Sequence, residues 1–364
     1  MNIAIFSPNK NPYSETFIQA HKNYLKGRVF YYYGSSGAIK LEGSNELVPR
    51  FYRYWLKILR ILFRFSFQWI NEKSVLKSLQ KNSIDVILVE YGTHAFKLNA
   101  VLKESTLPFV VHFHGYDASV SQVIKNCENY KTVFKEATKV IVVSKVMESK
   151  LLDLGCPRKK LSYNVYGPNP EFERVEPLFS KKQFVAIGRF TDKKAPYYTI
   201  MAFNKVLKKH PDAKLIMAGD GLLLNTCKNI VRYFGISDNV EFVGIISPRE
   251  YRAYLKDSIA FVQHSITAAN GDMEGTPVAI LEASSAGLPV ISTFHAGIPD
   301  VIHHEKTGLL VQEHQVNKMA EYMVKLLDDK SYAVQLGNAG KILIRTRFSL
   351  ERHIKGLQEA LESQ

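Results

Sequence analysis

Short apolar runs alternate with longer stretches of helical period from one end of the chain to the other. In the first half the runs are NIAIFS, RVFYYY, DVILVE, FVVHFH and KVIVVS; in the second they are FVAIGR, AKLIMAGD, VEFVG, IAFVQHS, LPVIST and GLLV. Such runs, rich in Val, Ile and Phe and bounded by polar turns, predict buried parallel strands, and their alternation with helices predicts an α/β protein. Residues 168–182, with Pro168, Pro170 and Pro177 and almost no period, read as a linker. A domain over 1–167 and a second over 183–348 follow, each of ordinary size. Ser247-Pro248-Arg249-Glu250 has the spacing of a capping box and predicts a helix start after VEFVG.

The run GDMEGTPVAILEASSAGLPVI carries the densest chemistry. Thr276 and Pro277 fit the N-cap and first position of a helix that Gly287 and Pro289 bring to an end. Glu274 then lies just before the helix, and Glu282 projects from it between one and two turns in. A helix start offers free backbone N–H groups and the positive end of the macrodipole, which suits a phosphate. Two carboxylates roughly 12 Å apart, at ~1.5 Å per residue, can accept hydroxyl protons from the two sugars that flank a diphosphate. A solvated helix with ordinary surface glutamates is the plain alternative.

A glutamate, seven residues and a second glutamate, with Gly-Thr-Pro after the first and Ala-Gly-x-Pro after the second, resembles the donor-site signature of the family-4 retaining glycosyltransferases. The segment HAGIPDVIHHEKTGLLV is also similar to the family, with Ala296-Gly297 where two glycines are usual. The resemblance implies a GT-B fold: two Rossmann-like parallel-sheet domains facing each other across a cleft, with a last helix over 349–364 packed back on the first. It implies that Glu274 contacts the transferred sugar and that Glu282 holds the ribose hydroxyls, with Gly275 and Thr276 also on the donor. Gly188 and Arg189 match the family's Gly-Arg and Lys194 its following lysine, which puts Arg189 and Lys194 on the diphosphate; Ala195 stands where the family has glycine. A fixed guanidinium and ammonium stabilise the charge that a departing nucleoside diphosphate gains. Gly219-Asp220-Gly221 is similar to the family's Gly-x-Gly turn, and Gly244 lets backbone pass close to the base.

In the first half, His114-Gly115-Tyr116-Asp117 resembles the family's His-Gly-x-Asp. That match aims His114 at the transferred sugar and leaves Asp117 to fix the loop. His112 shares a strand face with His114 by alternation and reads as a packed strand histidine. Ser14 and Glu15 fit a helix start, and by resemblance Ser14, Glu15 and Thr16 reach the acceptor or diphosphate. His94, at a strand end in EYGTHA, is assigned to the acceptor side. The chain has no Asp-x-Asp, so the resemblance implies a metal-independent enzyme with no cofactor, its substrate a nucleotide diphosphate sugar such as a UDP- or GDP-sugar.

Composition adds a partner. Hydrophobic residues make up 46% of the chain, which excludes a disordered protein. Cys127, Cys156 and Cys227 have neither metal spacing nor even pairing, and the start reads as a strand rather than a signal peptide. No uncharged stretch reaches the ~20 residues of a membrane span, so a cytoplasmic protein is expected. Of the net charge of +14, most belongs to residues 1–170, with 24 Lys and Arg against 12 Asp and Glu. A basic face seeks a polyanion, either an anionic membrane or nucleic acid. Residues 50–70, RFYRYWLKILRILFRFSFQWI, hold no acid. At ~100° per residue Arg50, Arg53, Lys57, Arg60 and Arg64 fall within about 80° of a helix, with Trp55 and other bulky apolar residues around the rest. That pattern predicts a helix docked on the inner face of the cell membrane, a buried domain helix being the alternative. The whole reads as a retaining transferase moving a hexose-type sugar to a membrane-associated glycan or glycolipid acceptor in surface polysaccharide or lipopolysaccharide synthesis, with no nucleic acid among its partners. The rivals are a GT-B epimerase or phosphorylase and a non-catalytic polyanion-binding protein.

Overall fold

The computed structural model describes residues 1–10 and 15–363. The chain divides into two compact units, residues 1–164 with 354–364, and residues 165–353. In the first unit the strands are β1 (Asn2–Ser7), β2 (Arg28–Tyr33), β3 (Lys40–Leu41), β4 (Val86–Glu90), β5 (Phe109–His112), β6 (Lys139–Val142) and β7 (Leu161–Tyr163). They form one sheet in the order β3-β2-β1-β4-β5-β6-β7, parallel except for the short edge strand β3. The second unit holds β8 (Gln183–Ile187), β9 (Lys214–Ala218), β10 (Val240–Gly244), β11 (Ala260–Val262), β12 (Val290–Thr293) and β13 (Gly308–Val311). Their order is β10-β9-β8-β11-β12-β13, all parallel.

Both sheets are doubly wound, and in each the strand order reverses beside its first strand: between β1 and β4, and between β8 and β11. Loops that leave the carboxyl ends on either side of such a reversal part to opposite faces and open a crevice for a ligand. Burial follows from the sequence. Ile3, Ala4, Ile5 and Phe6 of β1, Val86 to Val89 of β4 and Phe184 and Val185 of β8 are almost wholly buried, as central parallel strands covered on both faces must be.

Three local expectations need correction. The proline-rich stretch 168–182 is no free linker, because it counts with the second unit. Asn169 there caps a short helix at Pro170–Arg174, and Phe172 is buried with its ring against Tyr251. The helix after Glu274 spans Val278–Ser285 with Pro277, not Thr276, at its N-cap. An extended ψ of 119° at Pro277 delays the helix by one residue. Residues 50–70 form two helices, Arg50–Phe63 and Phe67–Lys81, with a break where Arg64 turns left-handed at φ 56° and the Ser66 hydroxyl accepts the Trp69 N–H to cap the second. The capping box at Ser247 and Glu250 opens a helix at Pro248–Asp257.

Candidate active site

The second unit's reversal point gathers charged side chains that lie far apart in sequence. β8 ends at Ile187, and Gly188-Arg189 follow it; a short helix at Asp192–Lys194 then presents two lysines. Lys194 Nζ lies 3.1 Å from Glu274 Oε1, with both side chains largely buried, and 3.4 Å from Gln263 Oε1 just beyond β11. Lys193 faces the other way, donating to Asp272 Oδ1 at 2.9 Å and to the Met273 carbonyl at 3.2 Å. Burial pushes the Glu274 carboxyl up, but the neighbouring Lys194 and Lys193 ammonium groups outweigh it and hold it below its ordinary value. The same burial lowers the Lys194 ammonium, with Glu274 opposing. The result is a dry ion pair at the strand ends. Arg189 is exposed and belongs to no ion pair among the described residues, so its guanidinium is open to an anion.

Glu282 sits on the helix Val278–Ser285, half-buried, and burial pushes its carboxyl up to about 8. A carboxyl this desolvated gains from any ligand that brings hydroxyl donors. No side chain caps the start of that helix among the described residues, which leaves first-turn N–H groups to a ligand. Gly275 and Thr276 are buried beside it, and the Gly275 carbonyl accepts the Gly297 N–H at 2.9 Å. Gly219 and Gly221 have φ of 129° and 150°, and a Cβ at either would strike the backbone of Gly188 or Phe190. Only glycine lets the loop after β9 lie against the loop after β8. Gly244 turns at φ 70° with open space where a Cβ would point.

In the first unit, the ends of β4 and β5 hold a buried chain of hydrogen bonds. His114 caps a helix at Gly115–Ser119: its side chain accepts the Asp117 N–H, and the Asp117 carboxylate accepts the His114 N–H at 2.8 Å and the Gly92 N–H at 2.6 Å. The other ring nitrogen, Nε2, lies 3.1 Å from Glu90 Oε2, and Glu90 Oε1 lies 2.6 Å from His21 Nδ1. With Nδ1 accepting, the proton of His114 sits on Nε2 and is given to Glu90. Burial raises the Glu90 carboxyl and lowers His21 to about 3. Ligand atoms of Glu90, His112 and His114 all lie within 4.8 Å of one another, the spacing of a metal group. An Nε2 that carries a proton has no lone pair for a metal, so the cap on His114 argues for hydrogen bonding here.

The remaining candidates are distributed as follows. His112 is fully buried, its ring stacked 4.7 Å from that of His114. His94 is enclosed too, lowered to about 4 by burial and then by Lys97, so it lines no open surface. Ser14 lies outside the described residues; Glu15 holds the N-cap position of the helix Thr16–Tyr24 and accepts from Tyr91 at 2.8 Å and Asn9 at 3.1 Å. Thr16 is exposed. Glu90, His21, His295 and Glu313 were missed by sequence reasoning. For Glu90 a signal existed, a lone acid closing the apolar strand VILVE; a histidine inside a helix, like His21, carries none.

The helix Arg50–Phe63 presents three faces. Leu56 is buried against the first unit. Ile61, Tyr54, Ile58, Phe51, Leu62 and Trp55 are all exposed and span roughly 120° at ~100° per residue. Phe51 is 77% exposed and Leu62 69%. Beside them run Arg50, Arg53 and Lys57, exposed, and Arg60, whose guanidinium stacks 3.8 Å over Phe67. Arg64, past the helix end, is exposed. A contiguous exposed apolar face is unusual on a folded domain and marks a docking surface. No helix among the described residues is long and apolar enough to cross a membrane.

Comparison with known proteins places the family and the fold. Residues 25–163 match the family described as Glycosyltransferase Family 4, and residues 169–342 match Glycosyl transferases group 1. The amylovoran biosynthesis glycosyltransferase AmsK of Erwinia amylovora is 28% identical over 76% of this chain and 70% of its own length. The putative colanic acid biosynthesis glycosyltransferase WcaL of Escherichia coli is 30% identical over 57% of this chain, which spans about half (52%) of that protein. Among solved structures, Anabaena HepE in complex with UDP-glucose superimposes with a TM-score of 0.80 at 15% identity over 100% of both chains. Sucrose-phosphate synthase of Thermosynechococcus elongatus gives 0.76 at 18% identity, over 100% of this chain and 98% of its own.

Proposed function

The chain belongs to the glycosyltransferases, a Family 4 half followed by a group 1 half in two GT-B parallel-sheet domains, and from that premise we propose that it is a retaining, metal-independent enzyme using a nucleotide diphosphate hexose. The observation that carries this reading is the Lys194–Glu274 pair at the β8/β11 reversal, with Arg189 unpaired beside it and Glu282 desolvated on the next helix. Arg189 and Lys194 meet the diphosphate, Glu282 takes the ribose hydroxyls and Glu274 a hydroxyl of the transferred sugar. The bond from the anomeric carbon to phosphate breaks as the bond to the acceptor oxygen forms on the same face. The acceptor's proton passes to the departing phosphate oxygen. Charge on that oxygen is offset by the two cations, which is the role a metal fills elsewhere.

The exposed face of the helix Arg50–Phe63 supports an acceptor held at an anionic membrane, on its cytoplasmic side. Burying a Phe or Leu side chain contributes about 1.5–3 kcal/mol and a basic residue near anionic lipid roughly 1 kcal/mol more. Related proteins named for amylovoran and colanic acid synthesis favour a surface polysaccharide or glycolipid as product. The test is a thermal-shift panel with UDP, GDP, ADP and CMP on the native protein and Glu282→Ala. A shift with one diphosphate that shrinks in the variant supports the donor site; no shift with any would overturn it.

A further inference from the structure

Glu274 sits in a loop between β11 and the helix at Val278, with no regular element to hold it. Its backbone N–H is donated to His295 Nε2 at 3.1 Å. His295, just past β12, is fully buried, and its Nδ1 lies 2.7 Å from Glu313 Oε1. Since Nε2 accepts, the ring proton is on Nδ1 and is donated to Glu313. Glu313, just past β13, also accepts the Thr267 N–H at 2.9 Å, which ties the far end of the same loop. One carboxylate just beyond the edge strand β13 therefore fixes both the tautomer of His295 and the loop that carries Glu274.

We propose that His295 and Glu313 are positioning residues for sugar transfer, Glu313 acting through His295 to set where the Glu274 carboxylate stands. The inference rests on the reading of Glu274 as the residue that meets the transferred sugar. Neither residue need touch the donor: the nucleotide is held by Arg189, Lys194 and Glu282, on other elements. Losing the relay therefore lowers turnover and spares nucleotide affinity. A carboxylate shifted by about 1 Å can cost on the order of 100-fold in rate.

The experiment compares native protein, His295→Phe, His295→Gln, Glu313→Ala and the His295→Phe/Glu313→Ala double variant. Binding of UDP and GDP is measured by calorimetry, and turnover as nucleotide release from UDP-glucose and GDP-mannose with water as acceptor. His295→Phe keeps a ring but no acceptor and is expected to lower kcat by about 10- to 100-fold with KM and nucleotide Kd within about twofold. Gln restores an oxygen near the Nε2 position and recovers part of the loss. Glu313→Ala, at a partly exposed position, lowers kcat by a smaller factor. The double variant is no worse than His295→Phe, because the two act in series. Full kcat in Glu313→Ala and His295→Phe, or parallel loss of kcat and nucleotide affinity, overturns the proposal. A native protein that neither binds nor turns over any of these removes the donor-site reading and this inference with it.

Discussion

At the scale of single residues, ionisation separates the two glutamates of the motif. Glu274 is held ionised by Lys194 and Lys193, whereas Glu282 has no cation to offset its burial. On the proposal that its carboxylate meets the sugar and not the nucleotide, Glu274→Ala is expected to lower turnover by at least about 100-fold while leaving nucleotide Kd within a few-fold. A Kd that collapses with turnover, read by calorimetry, would move Glu274 to another part of the donor. Glu282 makes a pH prediction with a definite sign. Its carboxyl is raised from 4.5 to about 8, so between those values the folded state binds a proton that the unfolded state has released. Stability then falls as pH rises through this window, and Glu282→Gln, which carries no such proton, gains on the native protein toward pH 9. Nucleotide binding runs the other way: ribose hydroxyls favour the ionised carboxyl, so affinity rises with pH up to about 8 and flattens in Glu282→Gln. Tm and calorimetric Kd across pH 6–9 check both. The motif residues themselves were legible in the sequence, since Glu274 and Glu282 share one loop and helix. Lys194 was legible too, as a diphosphate ligand, but its pairing with Glu274 and the support from His295 and Glu313 were not, because these residues come from three separate strand ends.

At the scale of elements, departures from the family pattern have a common physical form. Ala195 and Ala296, which replace expected glycines, both adopt positive φ, 35° and 47°. A left-handed conformation costs an L-residue about 1–2 kcal/mol, only partly offset by the lower entropy of the unfolded chain at Ala. Ala296→Gly is therefore expected to stabilise by up to ~1 kcal/mol; a drop in the denaturation midpoint would mean that the alanine methyl contributes packing that outweighs the strain. The helix Arg50–Phe63 shows the reverse relation between pattern and structure. Its basic arc was visible in the sequence, but whether the adjoining aromatics faced core or solvent was not. With only Leu56 buried, the apolar arc stays exposed. Flotation with vesicles rich in phosphatidylglycerol is expected to recover the native protein and to lose Phe51→Ser/Trp55→Ser/Leu62→Ser. Arg53, Lys57, Arg60 and Arg64 changed together to Glu should also abolish flotation; binding that survives both sets would sink the membrane reading.

At the scale of the whole molecule, the chain's last residues count with its first unit. Leu357 and Leu361 are fully buried, and Gln358 bonds the Lys26 backbone through both its amide oxygen and its amide nitrogen. Removing residues 354–364 takes away two buried leucines, each worth about 2–5 kcal/mol, and unpairs Lys26. Calorimetry of the shortened protein is expected to show the first unit melting earlier, with the UDP- or GDP-dependent shift retained by the second. Unchanged melting of both would mean that these residues add nothing to the first unit's stability. Such a return of the chain end is invisible to local pattern, because an amphipathic helix specifies that it must be covered and not by what.

The sequence by itself determined the parallel strands, their grouping into two sheets and the donor motif, because strand burial and helix signals act over a few residues. The tertiary structure alone decided which charges meet. Lys194 pairs with Glu274 across 80 positions, Glu90 bridges His21 and His114, and Glu313 orients His295. Lys194 with Glu274, Glu90 with His114 and Glu313 with His295 each join residues at or just past the ends of different strands, and His21 meets Glu90 from a helix; parallel strands that neighbour one another in a sheet are always separated in sequence by a crossover. Exposure of the helix Arg50–Phe63 was likewise a tertiary outcome, since one amphipathic pattern suits a buried or an exposed apolar face and only the packing around Leu56 chose between them.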